Sequence, residues 1–208
     1  MISHEHKFIY TKISKCASRS MQIALTENPL VTSAEHLGHW HLLDDIDERT
    51  KNYFKFTMVR NPWARLLSFY QYCVQKKKTH NYVHSTSFKD FVLDSTDKYL
   101  LDVNWTFSPT LKEICCYART QRCRLELQLD WITDANGKIL IDFIGKVENL
   151  QEDFNTVCDK IGIPRRTLSH QNKSNHKAYT KYYDDETQQI IAEKYAEDIK
   201  CFGYEFGE

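Results

Sequence analysis

Apolar and polar positions change rhythm repeatedly along this chain. Lys7-Phe-Ile-Tyr-Thr-Lys-Ile13 is β-branched and aromatic and predicts a strand. At Ser14 it gives way to small polar residues, and Met21-Gln-Ile-Ala-Leu25 resumes as a helix. A second strand, loop and helix follow. Tyr53-Phe-Lys-Phe-Thr-Met-Val59 ends at Arg60, Asn61 suits a helix cap, and Pro62 suits the first helical position. Trp63, Leu66, Leu67, Tyr70 and Val74 then recur at helical spacing and predict one buried stripe. The run Lys76-Lys-Lys78 beyond them reads as a solvated face, or as a complement to the helix dipole.

Farther along, Ser87 predicts the cap of a short helix through Phe88, Phe91 and Val92, and Leu111 to Tyr117 predicts another. Asp134-Ala-Asn-Gly137 reads as a turn. Lys138 to Val147 then predicts a strand buried on both faces by Ile139, Leu140, Ile141, Phe143 and Ile144. Asn149 is expected to cap a helix from Leu150 to Ile161, which Gly162 and Pro164 stop. Arg165 to Ala178 is polar and loop-like, and Asp184 to Cys201 predicts one last amphipathic helix. Strands alternating with helices predict an α/β fold with a mostly parallel sheet flanked by helices. No internal repeat or low-complexity segment interrupts the series, so the expectation is one domain over residues 1–208.

Composition sharpens this reading in three ways. The 208 residues suffice for one domain that buries about 70% of its unfolded surface. Twenty-eight Lys and Arg against twenty-eight Asp and Glu leave no global basic field, so nucleic acid is not an expected partner and any anion site must be local. No run approaches eighteen apolar residues, and Met1-Ile-Ser-His-Glu-His-Lys7 lacks a signal-peptide core, so neither export nor a membrane segment is expected. Cys16, Cys73, Cys115, Cys116, Cys123, Cys158 and Cys201 form an odd, irregular set that fits free thiols in a reducing compartment. Cys115-Cys116 with Cys123 lacks the paired spacing and nearby His of a zinc site, so no metal is expected.

In such a fold, function belongs in the loops at the carboxyl ends of the strands. Lys15-Cys-Ala-Ser-Arg-Ser20 places a cation, hydroxyls and small side chains where backbone N–H groups open a helix, which suits an anion. It is not the loop of the nucleoside triphosphatases. Their G-x-x-x-x-G-K-[ST] pattern has two glycines and a lysine near its end, whereas this loop has no glycine and its lysine comes first.

These segments resemble the carbohydrate sulfotransferases related to heparan and chondroitin sulfotransferases, with their bacterial relatives. The first signature of that family, P-K-[CT]-A-[GS]-[ST]-S, is matched by Ser14-Lys-Cys-Ala-Ser-Arg-Ser20, with Ser14 in place of Pro and Arg19 in place of Thr or Ser. The second, V-R-[ND]-P-x-x-R-x-x-S-x-Y, appears as Val59-Arg-Asn-Pro-Trp-Ala-Arg-Leu-Leu-Ser-Phe-Tyr70. Asp142 to Leu150 resembles the strand leading into the family's E-N-L helix start, and Tyr182 to Thr187 with Tyr195 to Phe206 resembles its C-terminal helix and ending.

The resemblance implies a P-loop-like sulfotransferase fold and transfer of a sulfuryl group from 3′-phosphoadenosine 5′-phosphosulfate (PAPS) to a carbohydrate or related hydroxyl, leaving PAP. It further implies that Lys15, Cys16, Ala17, Ser18, Arg19 and Ser20 hold the 5′ phosphosulfate, through backbone N–H groups and the hydroxyls of Ser18 and Ser20, with Lys15 neutralising charge on the bridging oxygen. Arg60 and Ser68 would hold the 3′-phosphate, and Lys173 and Ser174, in Ser169-His-Gln-Asn-Lys-Ser174, would touch the nucleotide. Heparan-type relatives carry an H-G-H segment near Glu35-His-Leu-Gly-His-Trp-His41 with a catalytic second histidine. Aligning Gly38 selects His39 as the base; His41 is its rival, and Glu35 could orient the imidazole or replace it.

Taken singly, these residues have ordinary explanations: Lys15 as an exposed lysine, Arg60 as half of a surface ion pair, Ser68 as a solvated helix position. Their order, twice in a strand, loop and helix, carries the functional reading. Trp40, Trp105, Tyr72 and Tyr82 read either as a sugar-stacking platform or as core. The rival functions are a P-loop kinase and a non-catalytic module that binds sulfated glycan or nucleotide. The expected setting is the cytoplasm for a complete bacterial-type chain, or the Golgi lumen for the trimmed catalytic domain of a eukaryotic relative.

Overall fold

The computed structural model describes residues 1–26, 46–75, 87–96, 126–168 and 178–208. The chain forms two compact units, Met1–Arg60 with Gln128–Ser174 and Asn61–Leu127 with Asn175–Glu208. The first contains a four-stranded sheet in the order β1 (Ile2–Ser3), β2 (Phe8–Thr11), β3 (Phe54–Val59), β4 (Phe143–Lys146). β1 pairs antiparallel with β2; β2 with β3 and β3 with β4 are parallel. The α/β architecture with a mostly parallel sheet is therefore present, and its helices are α1 (Ser18–Thr26) and α4 (Leu150–Ile161).

Side chains alternate across the strands, so the register sorts them into two faces. Phe8, Tyr10, Phe54 and Phe56 share one face, where Tyr10 stacks on Phe56 at 5.0 Å and Phe8 packs on it at 5.7 Å. Ile9 falls on the other face and forms a cluster with Ile2, against which Ile46, Tyr53, Leu140 and Ile141 pack. Helix α4 packs on β3 and β4 at Gly145. A Cβ there would lie 2.5 Å from Met58 Sδ and 2.9 Å from Asp153 Cβ. The missing side chain lets Asp153 on α4 accept from Lys146 N at 2.6 Å.

β4 is shorter than the predicted strand from Lys138 to Val147, and its Phe143 and Ile144 are only partly buried. The turn is as expected: Gly137 has φ +78°, and Asp134 Oδ1 accepts from Asn136 N and Lys138 N, both at 2.9 Å. The chain then spends Ile139 on an isolated bridge to Thr133, and Leu140 N donates to Ile132 O, so parallel pairing starts only later. Asn149 stands at the start of α4, but its side chain makes no capping bond, because the chain enters through a 3₁₀ turn over Val147–Asn149. At the other end Gly162, φ +71°, stops the helix in the left-handed conformation.

The second unit holds α2 (Pro62–Gln75), α3 (Phe88–Thr96), α5 (Asp185–Lys194) and α6 (Ala196–Phe202). Asn61 caps α2 as expected, its Oδ1 accepting from Trp63 N at 3.2 Å and Ala64 N at 3.4 Å. Ser87 caps α3 by accepting from Asp90 N at 3.1 Å. Trp63, Leu66 and Leu67 of the predicted stripe join Phe69, Phe88, Phe91, Val92, Ile191 and Tyr195 in one core. Tyr72 packs against this core, which answers the platform question for that residue in favour of packing.

The single helix expected from Asp184 to Cys201 is instead two. Asp184 and Thr187 form a capping box at the start of α5, and the break falls at Tyr195, φ −109° and ψ 26°. The Tyr195 ring is buried in the core, and its backbone leaves the helical region to seat it there; the hydrophobic spacing runs on across the break and hides it. Among the described residues no helix is long and apolar enough to cross a membrane. Leu111 to Tyr117 and Lys76 to Lys78 lie outside the described residues.

The close approach at Gly145 yields a stability prediction. Gly145→Ala should destabilise the fold by about 1–3 kcal/mol through overpacking, because the added methyl meets side chains on both a strand and a helix. Thermal unfolding of the variant at the wild-type melting temperature would show that α4 does not need this gap.

Candidate functional site

The carboxyl ends of β2 and β3 set the site. Thr11 stands opposite Thr57, and the chain continues from β2 through buried Lys12, Ile13 and Ser14 into a tight turn. Lys15 and Ala17 both have left-handed backbone, φ +68° and +55°, on either side of fully buried Cys16. For residues with a Cβ this costs about 1–2 kcal/mol each. Glycine would avoid the cost, and the loop has none.

Hydrogen bonds hold the turn in place. Ile13 O accepts from Cys16 N at 3.3 Å and from Ser18 Oγ at 2.6 Å, and Met21 N to Ala17 O at 3.1 Å begins the ladder of α1. The Cys16 thiol donates to Gln128 Oε1 at 3.1 Å. Lys15, Ala17 and Ser18 are half-buried, Arg19 is exposed and Ser20 is buried. The first N–H groups of a helix have no partner within it, and α1 has no acidic side chain in its first turn to compete for them. Because the Ser18 hydroxyl gives its proton to Ile13 O, what Ser18 can offer an anion is its backbone N–H.

Arg60 follows β3 directly. Gln128 holds it from both sides: Arg60 N donates to Gln128 Oε1 at 2.8 Å, and Gln128 Nε2 donates to Arg60 O at 2.9 Å. Arg60 Nη1 donates to Lys15 O at 3.4 Å. Thus the structure brings Lys15, Cys16 and Arg60 together in one unit. Ser68 is half-buried on α2 in the second unit, between buried Leu67 and Phe69. His39, His41, Lys173 and Ser174 lie outside the described residues, as do Glu35, Trp40, Tyr82 and Trp105.

Tyr10 supports the turn from below. It is fully buried, and burial together with the neighbouring Cys16 pushes its phenol well above the ordinary range, so it stays neutral under the loop. Sequence reasoning missed Gln128, which stands 68 positions from Arg60 with no local motif around it. It also gave no role to Arg65, which is buried and donates to Glu126 O at 2.8 Å. Among the described residues no group of three His, Cys, Asp or Glu side chains is arranged to hold a metal ion.

The family model described as "Sulfotransferase family" matches residues 1–205. The chain belongs to the sulfotransferase family. It is 25% identical over 248 residues to carbohydrate sulfotransferase 14 of Danio rerio, covering 98% of this chain and 61% of that protein. It is 24% identical over 220 residues to carbohydrate sulfotransferase 9 of Homo sapiens, covering 95% of this chain and 47% of the relative. An uncharacterized protein of Archaeoglobus fulgidus is 32% identical over 114 residues, which are 54% of this chain and 70% of that one. The chain thus spans about half to three-fifths of the two named relatives. No solved structure matches it significantly.

For a sulfotransferase-family loop without glycine, the left-handed residues make a direct prediction. Ala17→Gly should stabilise the protein by about 1 kcal/mol, since the αL conformation is retained without the Cβ penalty. Scanning calorimetry should register a melting temperature raised by about 2–4 °C for a chain of this size. A lowered value would mean that Ala17 is not held left-handed.

Proposed function

We propose that the chain transfers the sulfuryl group of PAPS to a hydroxyl of a carbohydrate or related acceptor by in-line displacement. The observation that carries this reading is the contact between the Lys15 loop and Arg60, which assembles two cationic residues at the ends of adjacent parallel strands in a chain of the sulfotransferase family. The two relatives named as carbohydrate sulfotransferases support the acceptor class. The setting that goes with this reading is the cytoplasm for a complete bacterial-type chain or the Golgi lumen for a trimmed catalytic domain.

Bound PAPS supplies an activated sulfuryl group and a 3′-phosphate that ATP lacks. In this reading the backbone N–H groups of Ala17 to Ser20 and the Lys15 ammonium hold the 5′ end, while Cys16 N–H stays on Ile13 O, and Lys15 stabilises charge that grows on the bridging oxygen. Arg19 adds a further donor. Arg60 meets the 3′-phosphate with a planar fork suited to two oxygens, and Ser68 adds a hydroxyl. Lys173 and Ser174 contact the nucleotide. His39 removes the proton of the acceptor hydroxyl, with His41 as its rival, since imidazole titrates near neutral pH. The anion charge is met by these groups and not by a metal. With a formal net charge of zero, the chain depends on this local clustering to attract its donor.

The donor assignment is tested by binding. PAP should stabilise the wild type more than ADP at equal concentration, and Arg60→Ala should erase most of the difference, because it removes a contact to a phosphate that ADP does not carry. Equal affinities for PAP and ADP in the wild type would return the kinase reading to first place.

The catalytic assignment is tested by turnover. Lys15→Ala should reduce transfer severely with little change in melting temperature, and His39→Ala should reduce it about a hundredfold while leaving PAP affinity nearly intact. A larger loss in His41→Ala than in His39→Ala would move the base to His41. Unimpaired transfer in all three variants would reject these residue roles, whereas PAP binding with no transfer by the wild type would leave a binding module with no working base.

A further inference from the structure

We propose that Gln128 is a positioning residue that sets the spacing between the two halves of the donor site, the loop at Lys15 and the guanidinium of Arg60. The inference rests on the donor reading above. Gln128 is fully buried, and its planar amide bonds three groups from two segments: Arg60 N, Arg60 O and the Cys16 thiol, at 2.8, 2.9 and 3.1 Å. With Arg60 it makes the reciprocal donor and acceptor pair that a neighbouring strand would make. A side chain thereby extends the β-ladder by one residue where β3 has ended.

Holding both the N–H and the C=O of one residue restrains its φ and ψ, and so the direction in which its side chain leaves the backbone. The same Oε1 that receives Arg60 N also receives Cys16 Sγ, the buried residue between the two left-handed positions. Arg60 Nη1 closes the circuit on Lys15 O at 3.4 Å. Loop and guanidinium are therefore fixed relative to each other through one amide. A ligand that touches only the loop does not sense that spacing. A ligand that bridges loop and Arg60 does, and misplacement by about 1 Å is enough to weaken it markedly.

The test compares PAP with 5′-AMP, which differ only by the 3′-phosphate, using calorimetry on the wild type, Gln128→Met, Arg60→Ala and the double variant. Methionine keeps the unbranched shape and removes all three bonds. The wild type should prefer PAP by about tenfold or more, the scale of one charge-assisted contact. Gln128→Met should lose most of that preference while its affinity for 5′-AMP changes less than about threefold. The double variant should lose no more than Arg60→Ala alone, because both changes remove the same interaction.

A wild type that binds both nucleotides equally overturns the donor reading and this inference with it. A preference lost in Arg60→Ala but intact in Gln128→Met, with only the melting temperature lowered, overturns the inference alone and leaves Gln128 a packing residue. If Gln128→Met does not fold, Gln128→Asn takes its place: the shorter amide keeps its polar groups but cannot span Arg60 and Cys16 together. It should show the same loss of preference, and wild-type discrimination in Gln128→Asn overturns the inference.

Discussion

In the register of β2 against β3, Thr11 lies beside Thr57, and the Thr57 hydroxyl donates to Thr11 O at 2.8 Å. Both strands run the same way, so both release the chain at one edge of the sheet. From β2 the chain enters the turn at Lys15; from β3 it enters Arg60. A slip of one residue would move Tyr10 and Phe56 off their shared face and unstack them, so the aromatic packing and the position of the two cations are fixed by the same register. The bond from Arg60 to Lys15 O is a consequence of that pairing, since 45 residues separate the two in sequence.

The turn itself is held against its own backbone preference. Two left-handed residues with side chains are together unfavourable by about 2–4 kcal/mol, comparable to the net contribution of about two to four hydrogen bonds. The offsetting terms are all local: a fully buried Cys16, two donors on Ile13 O, and the amide of Gln128. Strain of this kind persists only where the surroundings over-determine it. The usual phosphate loop reaches a similar shape with glycine, whose flexibility must then be lost on folding. Here the side chains replace that freedom with anchoring, so the N–H groups at the start of α1 stand on a braced turn.

Most of the sheet and the helix starts were legible because each is announced within a few residues. Phe8–Thr11, Phe54–Val59, the cap at Asn61 and the stop at Gly162 each follow from side-chain shape at one position or a short alternation. What misled the reading was tertiary. Ile139 has the composition of a strand residue, but bridges Thr133 and is half-exposed, because the turn folds it onto the segment before Asp134. The break at Tyr195 reflects a ring seated in a core, which spacing alone does not reveal. The loop and Arg60 could be named from their motifs, whereas Gln128 has no motif and acts only because folding carries it across 68 positions.

The second signature also divides into two kinds of residue once its contacts are known. Asn61 caps α2 with its oxygen and donates through Nδ2 to Glu205 O at 2.8 Å, which ties the C-terminal stretch to the start of the helix. Trp63 donates to Gln188 O at 3.0 Å and accepts from the Tyr183 hydroxyl at 2.9 Å, while Arg65 is buried on Glu126 O. Each of these side chains secures backbone at a point far away in sequence, and none needs a ligand to explain its identity. Within the motif Asn61-Pro-Trp-Ala-Arg65 is sufficiently explained by the architecture of its own unit. Arg60 differs: its backbone is tied by Gln128, and its guanidinium reaches the turn at Lys15 with a long 3.4 Å bond to a carbonyl. The contacts of Arg60 thus run to Gln128 and the turn at Lys15 within the first unit, while those of Asn61, Trp63 and Arg65 run to backbone within the second.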